Sequence, residues 1–245
     1  MGRILFFLSL LFSAAPSAFG LINGRRLDGI SDVVRLTFTN GWVCTGTFVD
    51  QYTILTAAHC LTSEDAGQKI AIRLIESAAD ELVEVKQTGT YTQPKFQAQS
   101  WPAFDVGVLK TTKYTKFAHQ FNIARKSPPT LGDAVLYGCG KTGLVGASRN
   151  RMMGENRFFR IGSVLFFLGS GKTLGQINGA ASIAPNDSGG PIIDSATGEI
   201  IAIATTTTAT SSASMGLPIL STGTTIGTSD NQDFIRLHMG DQLRE

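Results

Sequence analysis

The sequence predicts an all-β fold made of antiparallel barrels. Short runs of apolar and β-branched residues alternate with turn signals from residue 33 onwards, a pattern typical of strands joined by hairpins. No long amphipathic helical pattern occurs before residues 230–243, where apolar residues at helical spacing predict one short closing helix. With 245 residues, 42% of them hydrophobic, the chain is long enough to bury one large core or two smaller ones.

The strands are predicted one by one from these runs. They cover residues 33–38, 43–49, 52–56, 69–75, 82–87 and 106–111 in the first half, and 134–137, 156–164, 191–193 and 200–206 in the second. The apolar stretch 161–169 is interpreted as a core strand because it is too short to cross a bilayer. Ser127-Pro128-Pro129, near the midpoint, is predicted to carry the chain from one barrel to the next.

The first 20 residues predict a secretory signal peptide. One positive residue, Arg3, precedes the short apolar run 4–12, and the small residues Ala18 and Gly20 fit a cleavage site after Gly20. The protein is therefore expected to be secreted or periplasmic, without a stable membrane anchor.

Charge and cysteine content exclude some classes of partner and scaffold. The formal net charge is only +2, which argues against binding to nucleic acid. Three cysteines are too few for disulfides to be the main scaffold. No metal and no cofactor is expected, and the protein is expected to be a monomer.

Three short motifs carry the candidate chemistry. Segment 56–60 (TAAHC) contains His59, segment 104–109 (FDVGVL) contains Asp105, and segment 187–191 (DSGGP) contains Ser188. A serine hydroxyl is a poor nucleophile at neutral pH unless a base accepts its proton and a buried acid orients that base. Each motif alone is also compatible with a structural histidine or a turn. Their order and their separations of 46 and 83 residues favour a Ser-His-Asp triad.

On these motifs the chain resembles the trypsin/chymotrypsin family from Leu21 to Ile235. The order His, Asp, Ser differs from that of subtilisins and α/β-hydrolases. The resemblance implies two antiparallel six-stranded Greek-key barrels in a peptidase domain over 21–245, the first over about 21–125 and the second over about 126–229. It places the triad at their interface. The few cysteines and the lack of accessory domains resemble bacterial members of the family.

The resemblance also implies roles for residues around the nucleophile. The backbone amides of Ser188 and Asn186 are implied to form the oxyanion hole. The family has glycine at the position of Asn186, but asparagine tolerates unusual backbone dihedrals better than most residues. An amino terminus freed at Leu21 is implied to insert beside Asp187 and to order the oxyanion loop.

In the same family the cysteine after the catalytic histidine is bridged, which implies a Cys44–Cys60 disulfide. Cys139 is then left over. A buried, inert thiol is the favoured interpretation, with an intermolecular bridge as the alternative.

The resemblance places the substrate pocket between three segments. Ser182 stands where trypsin-like members have an aspartate, so a preference for cleavage after Lys or Arg is not expected. A preference for medium apolar residues is expected instead. Thr205 is expected to bond to Asp105. The full pocket set is Ser182, Ile183, Thr205, Thr206, Thr207 and Gly223.

The expected function is that of a secreted serine endopeptidase that cleaves proteins or peptides through an acyl-enzyme. Two alternatives remain open. One is a noncatalytic binding protein on the same fold, and the other is an esterase or toxin that uses the same triad on a different substrate.

Overall fold

The structure is a computed structural model that describes residues 21–27, 32–38, 41–61, 70–75, 82–85, 87–97, 101–140, 151–169, 180–208 and 218–239. Side chains are described in these ranges except at 70–75, 82–85 and 87. The predicted signal peptide, residues 1–20, and the end of the predicted helix, residues 240–243, lie outside the described residues.

Two antiparallel sheets account for the described strands, which confirms the predicted all-β fold of the chymotrypsin type. The first sheet has the order β6-β5-β2-β3-β4-β8-β7. Its strands are β2 (Val33–Phe38), β3 (Val43–Asp50), β4 (Thr53–Thr56), β5 (Ile70–Ile75), β6 (Leu82–Val85), β7 (Gln87–Thr92) and β8 (Gly107–Thr111).

The second sheet has the order β1-β10-β11-β14-β13-β12-β9, and β9 also pairs with β10. This extra pairing closes six of the strands into a barrel and leaves β1 beside β10. The strands are β1 (Arg25–Leu27), β9 (Leu131–Gly138), β10 (Arg151–Ile161), β11 (Val164–Gly169), β12 (Pro191–Asp194), β13 (Ile200–Thr207) and β14 (Ile219–Thr225).

Each sheet encloses a core of alternating apolar residues. In the first, Phe48 stacks on Tyr114 with ring centroids 4.7 Å apart. In the second, Phe158 meets Phe167 edge to face at 6.2 Å. These aromatic residues are fully buried, so they add large apolar areas to the two cores.

The predicted strand 156–164 extends too far at its C-terminal end. β10 ends at Ile161, and a turn at Gly162 and Ser163 leads into β11 as the other arm of a hairpin. Gly162 has φ +57°, a left-handed conformation that glycine adopts without a steric penalty. The apolar stretch 161–169 therefore supplies one barrel strand after this turn.

The closing helix α1 covers Ser229–Met239, as the sequence predicts at its start. Phe234, Ile235 and Met239 pack into the core of the first sheet. Leu237 is 77% exposed, because two residues of helix rotate it away from Ile235. No helix in the described ranges is long and apolar enough to cross a membrane.

Buried amide side chains fix the start of α1. Gln232 Nε2 donates to the carbonyls of Ala124 and Ile226, and Asn231 Nδ2 donates to that of Thr225. Ala124 lies in the crossover between β8 and β9, so the helix, the crossover and β14 are held together where the two sheets meet.

Candidate active site

The predicted base and acid meet at the edge of the first sheet. His59 lies in a 3₁₀ turn (Ala58–Cys60) directly after β4, and Asp105 comes two residues before β8, the neighbour of β4. His59 Nδ1 and Asp105 Oδ2 are 2.6 Å apart, and the His59 backbone N–H donates to Asp105 Oδ1 at 2.8 Å. The Asp105 side chain is fully buried, whereas that of His59 is 22% exposed. The imidazole is thus held at Nδ1 by a buried acid, while part of its side chain stays exposed.

Asp105 has a third donor that the sequence did not indicate. Trp101 Nε1 donates to Asp105 Oδ2 at 3.0 Å, and the indole and imidazole rings meet edge to face at 6.2 Å. The expected bond from Thr205 to Asp105 is absent from the described residues. Thr205 Oγ1 instead donates to the Ile203 carbonyl at 3.1 Å and lies 3.0 Å from Thr224 Oγ1.

The predicted nucleophile lies in the loop before β12, on the second barrel. Ser188 is tied to the first sheet, because its carbonyl accepts a bond of 2.8 Å from the Thr45 amide on β3. Its hydroxyl donates to the Thr205 carbonyl at 3.3 Å. Gly189 has φ +87°, and a Cβ there would come within 2.1 Å of the Thr45 carbonyl oxygen. Only glycine allows the two sheets to approach this closely at the serine.

The carboxylate of Asp187 is fully buried beside the nucleophile. It accepts bonds from the backbone amides of Leu21 (3.0 Å), Ala184 (2.8 Å) and Gly140 (2.8 Å). Burial raises the pKa of Asp187 to about 6, and these amide donors oppose that shift in part. Leu21 itself is buried, and the next residue, Ile22, pairs with Ser182. The predicted partners Leu21 and Asp187 are thus in contact.

Asn186 occupies the left-handed region, with φ +74°. Within the described residues, the amides of Asn186 and Ser188 donate to no protein acceptor. The Asn186 carbonyl accepts a bond of 3.2 Å from Thr45 Oγ1, which itself accepts from the Cys139 amide at 2.9 Å. Thr45 therefore holds the loop that carries Asn186 and Ser188.

The predicted disulfide is confirmed. Cys44 on β3 is bonded to Cys60, the last residue of the His59 turn. These sulfurs and a ring nitrogen of His59 lie within 4.8 Å of one another, but sulfurs in a disulfide are not thiolate ligands, so the cluster does not suit a metal. Cys139 is free and buried, and burial raises its pKa to about 12.

A cavity of about 700 Å³ opens beside the histidine and the serine. Its walls combine apolar side chains with a row of threonines on β13. The lining residues are Trp42, His59, Trp101, Ile183, Ala184, Pro185, Ser188, Thr205, Thr206 and Thr207.

Four of the six predicted pocket residues line this cavity, and Ser182 and Gly223 do not. Ser182 is fully buried, and its hydroxyl points at Gly169, where an added Cβ would lie 1.5 Å from Ser182 Oγ. A Cβ on Gly223 would meet Ile192 Cδ1 at 2.4 Å. Gly223 therefore faces the barrel core, because alternate residues of β14 point inward.

Comparison with known families agrees with this architecture. The profile of the Trypsin family matches residues 21–223. The chain belongs to the trypsin family. A curated relative is the serine protease snk of Drosophila melanogaster, 30% identical over 121 residues. That match covers 45% of this chain and 27% of the relative, so this trypsin-family chain aligns with about a quarter of snk.

Solved structures of low sequence identity share the trypsin-family fold. A Glu endopeptidase in complex with MPD has a TM-score of 0.64 at 15% identity, over 89% of this chain and 95% of that one. Mouse neuropsin has a TM-score of 0.63 at 17% identity, over 87% of this chain and 99% of neuropsin. HL collagenase has a TM-score of 0.63 at 17% identity, over 89% of this chain and 98% of the collagenase.

Sequence reasoning missed several residues of this trypsin-family site, among them Trp42, Trp101 and Thr45. Trp101 is four residues before Asp105 in an exposed turn, and an exposed tryptophan so near a candidate acid is the signal that could have found it. The contacts of Thr45 carry no such signal, because they join β3 to a loop more than 90 residues away along the chain.

Proposed function

We propose that this protein is a serine endopeptidase in which Ser188 is the nucleophile, His59 the general base and Asp105 the residue that orients the base. The observation that carries the proposal is the buried Asp105 carboxylate, 2.6 Å from His59 Nδ1, in a histidine that lines the same cavity as Ser188. A proton is thus accepted at His59 Nε2 while Asp105 stabilises the imidazolium.

The reaction follows from these positions. The Ser188 hydroxyl, which donates to the Thr205 carbonyl in the structure, turns towards His59 Nε2 and gives up its proton as its oxygen attacks the substrate carbonyl. His59 then gives the proton to the leaving amine, and water hydrolyses the acyl-enzyme by the same route. The amides of Asn186 and Ser188 stabilise the oxyanion, and one such donor contributes roughly 3 to 4 kcal/mol.

A fluorophosphonate probe combined with peptide hydrolysis tests the proposal. The wild type should be labelled and should cleave peptides, whereas Ser188→Ala should lose labelling and roughly a millionfold in kcat. Ser195→Ala, in an exposed turn, is the matched control and should retain both activities. Labelling without peptide cleavage would favour the esterase, and no labelling of folded wild type would favour the binding protein.

We propose a preference for medium apolar residues at the cleavage site. The cavity presents Ile183, Ala184 and threonines, and the described lining holds no carboxylate that would pair with Lys or Arg. Cleavage of a peptide library should therefore occur after residues such as Val, Leu and Ala. Efficient cleavage after Arg would contradict this specificity and leave the peptidase assignment intact.

We also propose that the protein is exported and that signal peptidase creates its active amino terminus at Leu21. The bond from Leu21 N to Asp187 supports this, because removing residues 1–20 would convert that nitrogen to an ammonium beside a carboxylate. Amino-terminal sequencing of secreted protein should find Leu21 first. A fully active protein that starts elsewhere would refute the proposal.

A further inference from the structure

Few hydrogen-bond donors hold the carboxylate of Asp105. Its Oδ1 accepts from the His59 backbone, and its Oδ2 accepts from His59 Nδ1 and from Trp101 Nε1. A buried carboxylate is stable only where its oxygens are well bonded. Two of the three donors belong to the histidine that Asp105 has to orient, so Trp101 is the only donor in the described residues that holds Asp105 independently of His59.

The second barrel secures Trp101 instead of bonding to Asp105 itself. The Thr205 hydroxyl oxygen accepts a bond from the Thr224 amide, and the Thr224 hydroxyl donates to the carbonyl of Pro102, the residue after Trp101. The Pro102 carbonyl also accepts from the Asp105 amide. The turn that presents the indole to Asp105 is therefore bonded on both sides of the interface between the barrels.

Trp101 reaches the cavity as well as the acid. It is 45% exposed, lines the cavity with His59 and Ser188, and places its ring at 77° to the imidazole. A group that occupies the cavity beside His59 would contact the ring whose N–H holds Asp105. The same side chain thus touches the space for substrate and the residue that orients the base.

We propose that Trp101 is a positioning residue of this site: its indole N–H fixes the Asp105 carboxylate, and thereby the His59 imidazole, in the orientation that proton transfer from Ser188 requires. In its kinetic part this inference rests on the proposed function. It further assigns the ring of Trp101 as a wall of the substrate cleft, so that the N–H and the ring have separable effects on turnover and on substrate binding.

Kinetics of two substitutions separate these effects. Trp101→Phe keeps an aromatic wall and removes the N–H, so kcat should fall roughly tenfold, in line with the loss of a hydrogen bond to a charged group, while KM changes little. Trp101→Leu also removes the ring and should raise KM. Rates are normalised to active sites titrated with a fluorophosphonate, so a smaller folded fraction does not appear as a lower kcat.

Two variants serve as references. Replacement of Trp101 by benzothienylalanine keeps the two-ring shape without the N–H and should reproduce the kcat of Trp101→Phe. Trp42→Phe changes the other tryptophan of the cavity, which does not donate to Asp105, and should affect KM more than kcat. An unchanged kcat per titrated site in Trp101→Phe would overturn the inference.

A spectroscopic arm tests the contact without any activity. In ¹⁵N-labelled protein, Asp105→Asn weakens the acceptor, so the Trp101 indole N–H resonance should move upfield more than that of Trp42. Equal shifts of the two signals would refute the contact. If the wild type proves inactive, the peptidase proposal fails, and this arm still decides whether Trp101 holds Asp105.

Discussion

At the scale of single residues, the hydroxyl and the amide of Thr45 together link three parts of the site. It donates to the Asn186 carbonyl and accepts from the Cys139 amide, while the Thr45 amide holds the Ser188 carbonyl. Asn186 has φ +74°, a conformation that costs most residues roughly 1–2 kcal/mol. The bonds from Thr45 offset part of this cost and hold the loop that carries Asn186 and Ser188.

Thr45→Val removes this hydroxyl with almost no change in shape. Because the buried Cys139 N–H and the partly buried Asn186 carbonyl lose their partner, the free energy of unfolding should fall by about 1–3 kcal/mol, and kcat should fall as well. Urea unfolding and steady-state kinetics provide the two measurements.

Thr47 on the same strand is the matched control. It is equally buried, but its hydroxyl has no hydrogen-bond partner in the described residues. Thr47→Val should therefore be neutral or stabilising. An equal loss of stability in both variants would show that the contacts of Thr45 contribute nothing specific.

At the scale of elements, the disulfide joins β3 to the turn that carries His59. Cys44 and Cys60 are 16 residues apart, and a bridge that closes a loop of this length contributes about 3 kcal/mol. The double variant Cys44→Ala/Cys60→Ala should lose about that much stability in urea unfolding, and kcat should fall because the His59 turn is held less firmly. A stability equal to that of oxidised wild type would contradict this account.

Cys139, at the end of β9, should behave as an inert thiol. Burial raises its pKa to about 12, so the reactive thiolate is essentially absent at neutral pH. Native protein should not react with iodoacetamide, whereas unfolded protein should take up one label per chain at Cys139. Rapid labelling of native protein, or a disulfide-linked dimer on a nonreducing gel, would favour the intermolecular bridge.

The elements also show which strands a sequence reveals. β2, β3 and β8 were predicted within one residue, because β-branched and apolar runs bounded by turn residues mark buried strands. β14 was missed, since its sequence ILSTGTT is rich in small polar residues. Its neighbours β11 and β13 determine that it is a strand, and such long-range pairing leaves no local pattern.

At the scale of the whole molecule, site residues that depend on long-range contacts are also hard to predict from the sequence. His59, Asp105 and Ser188 were found because each stands in a short motif, and the disulfide was found through the family resemblance. Trp101 was missed, because its role depends on where the second barrel places Thr205 and Thr224. Ser182 and Gly223 were assigned to the pocket by alignment alone. Ser182 points at Gly169, and strand pleating turns Gly223 towards the barrel interior.

For the whole fold, we expect Asp187 to make stability depend on pH. In the structure, Leu21 N is a peptide nitrogen, and burial raises the pKa of Asp187 from 3.8 to about 6. A carboxyl group with a higher pKa in the folded chain stabilises the fold fully below about pH 4, and that contribution is lost as the pH rises through about 6. The loss amounts to about 3 kcal/mol in a chain that keeps residue 20.

A chain that begins at Leu21 should lose stability only at a higher pH. Its ammonium lowers the pKa of Asp187, so the loss between about pH 4 and pH 6 disappears, and stability declines only when the ammonium deprotonates at alkaline pH. Urea unfolding of both forms across this range measures the difference. Asp187→Asn in each form is the control and should abolish the difference in pH dependence between the two forms. The same pH dependence in the extended and processed forms would show that Leu21 and Asp187 do not form an ion pair.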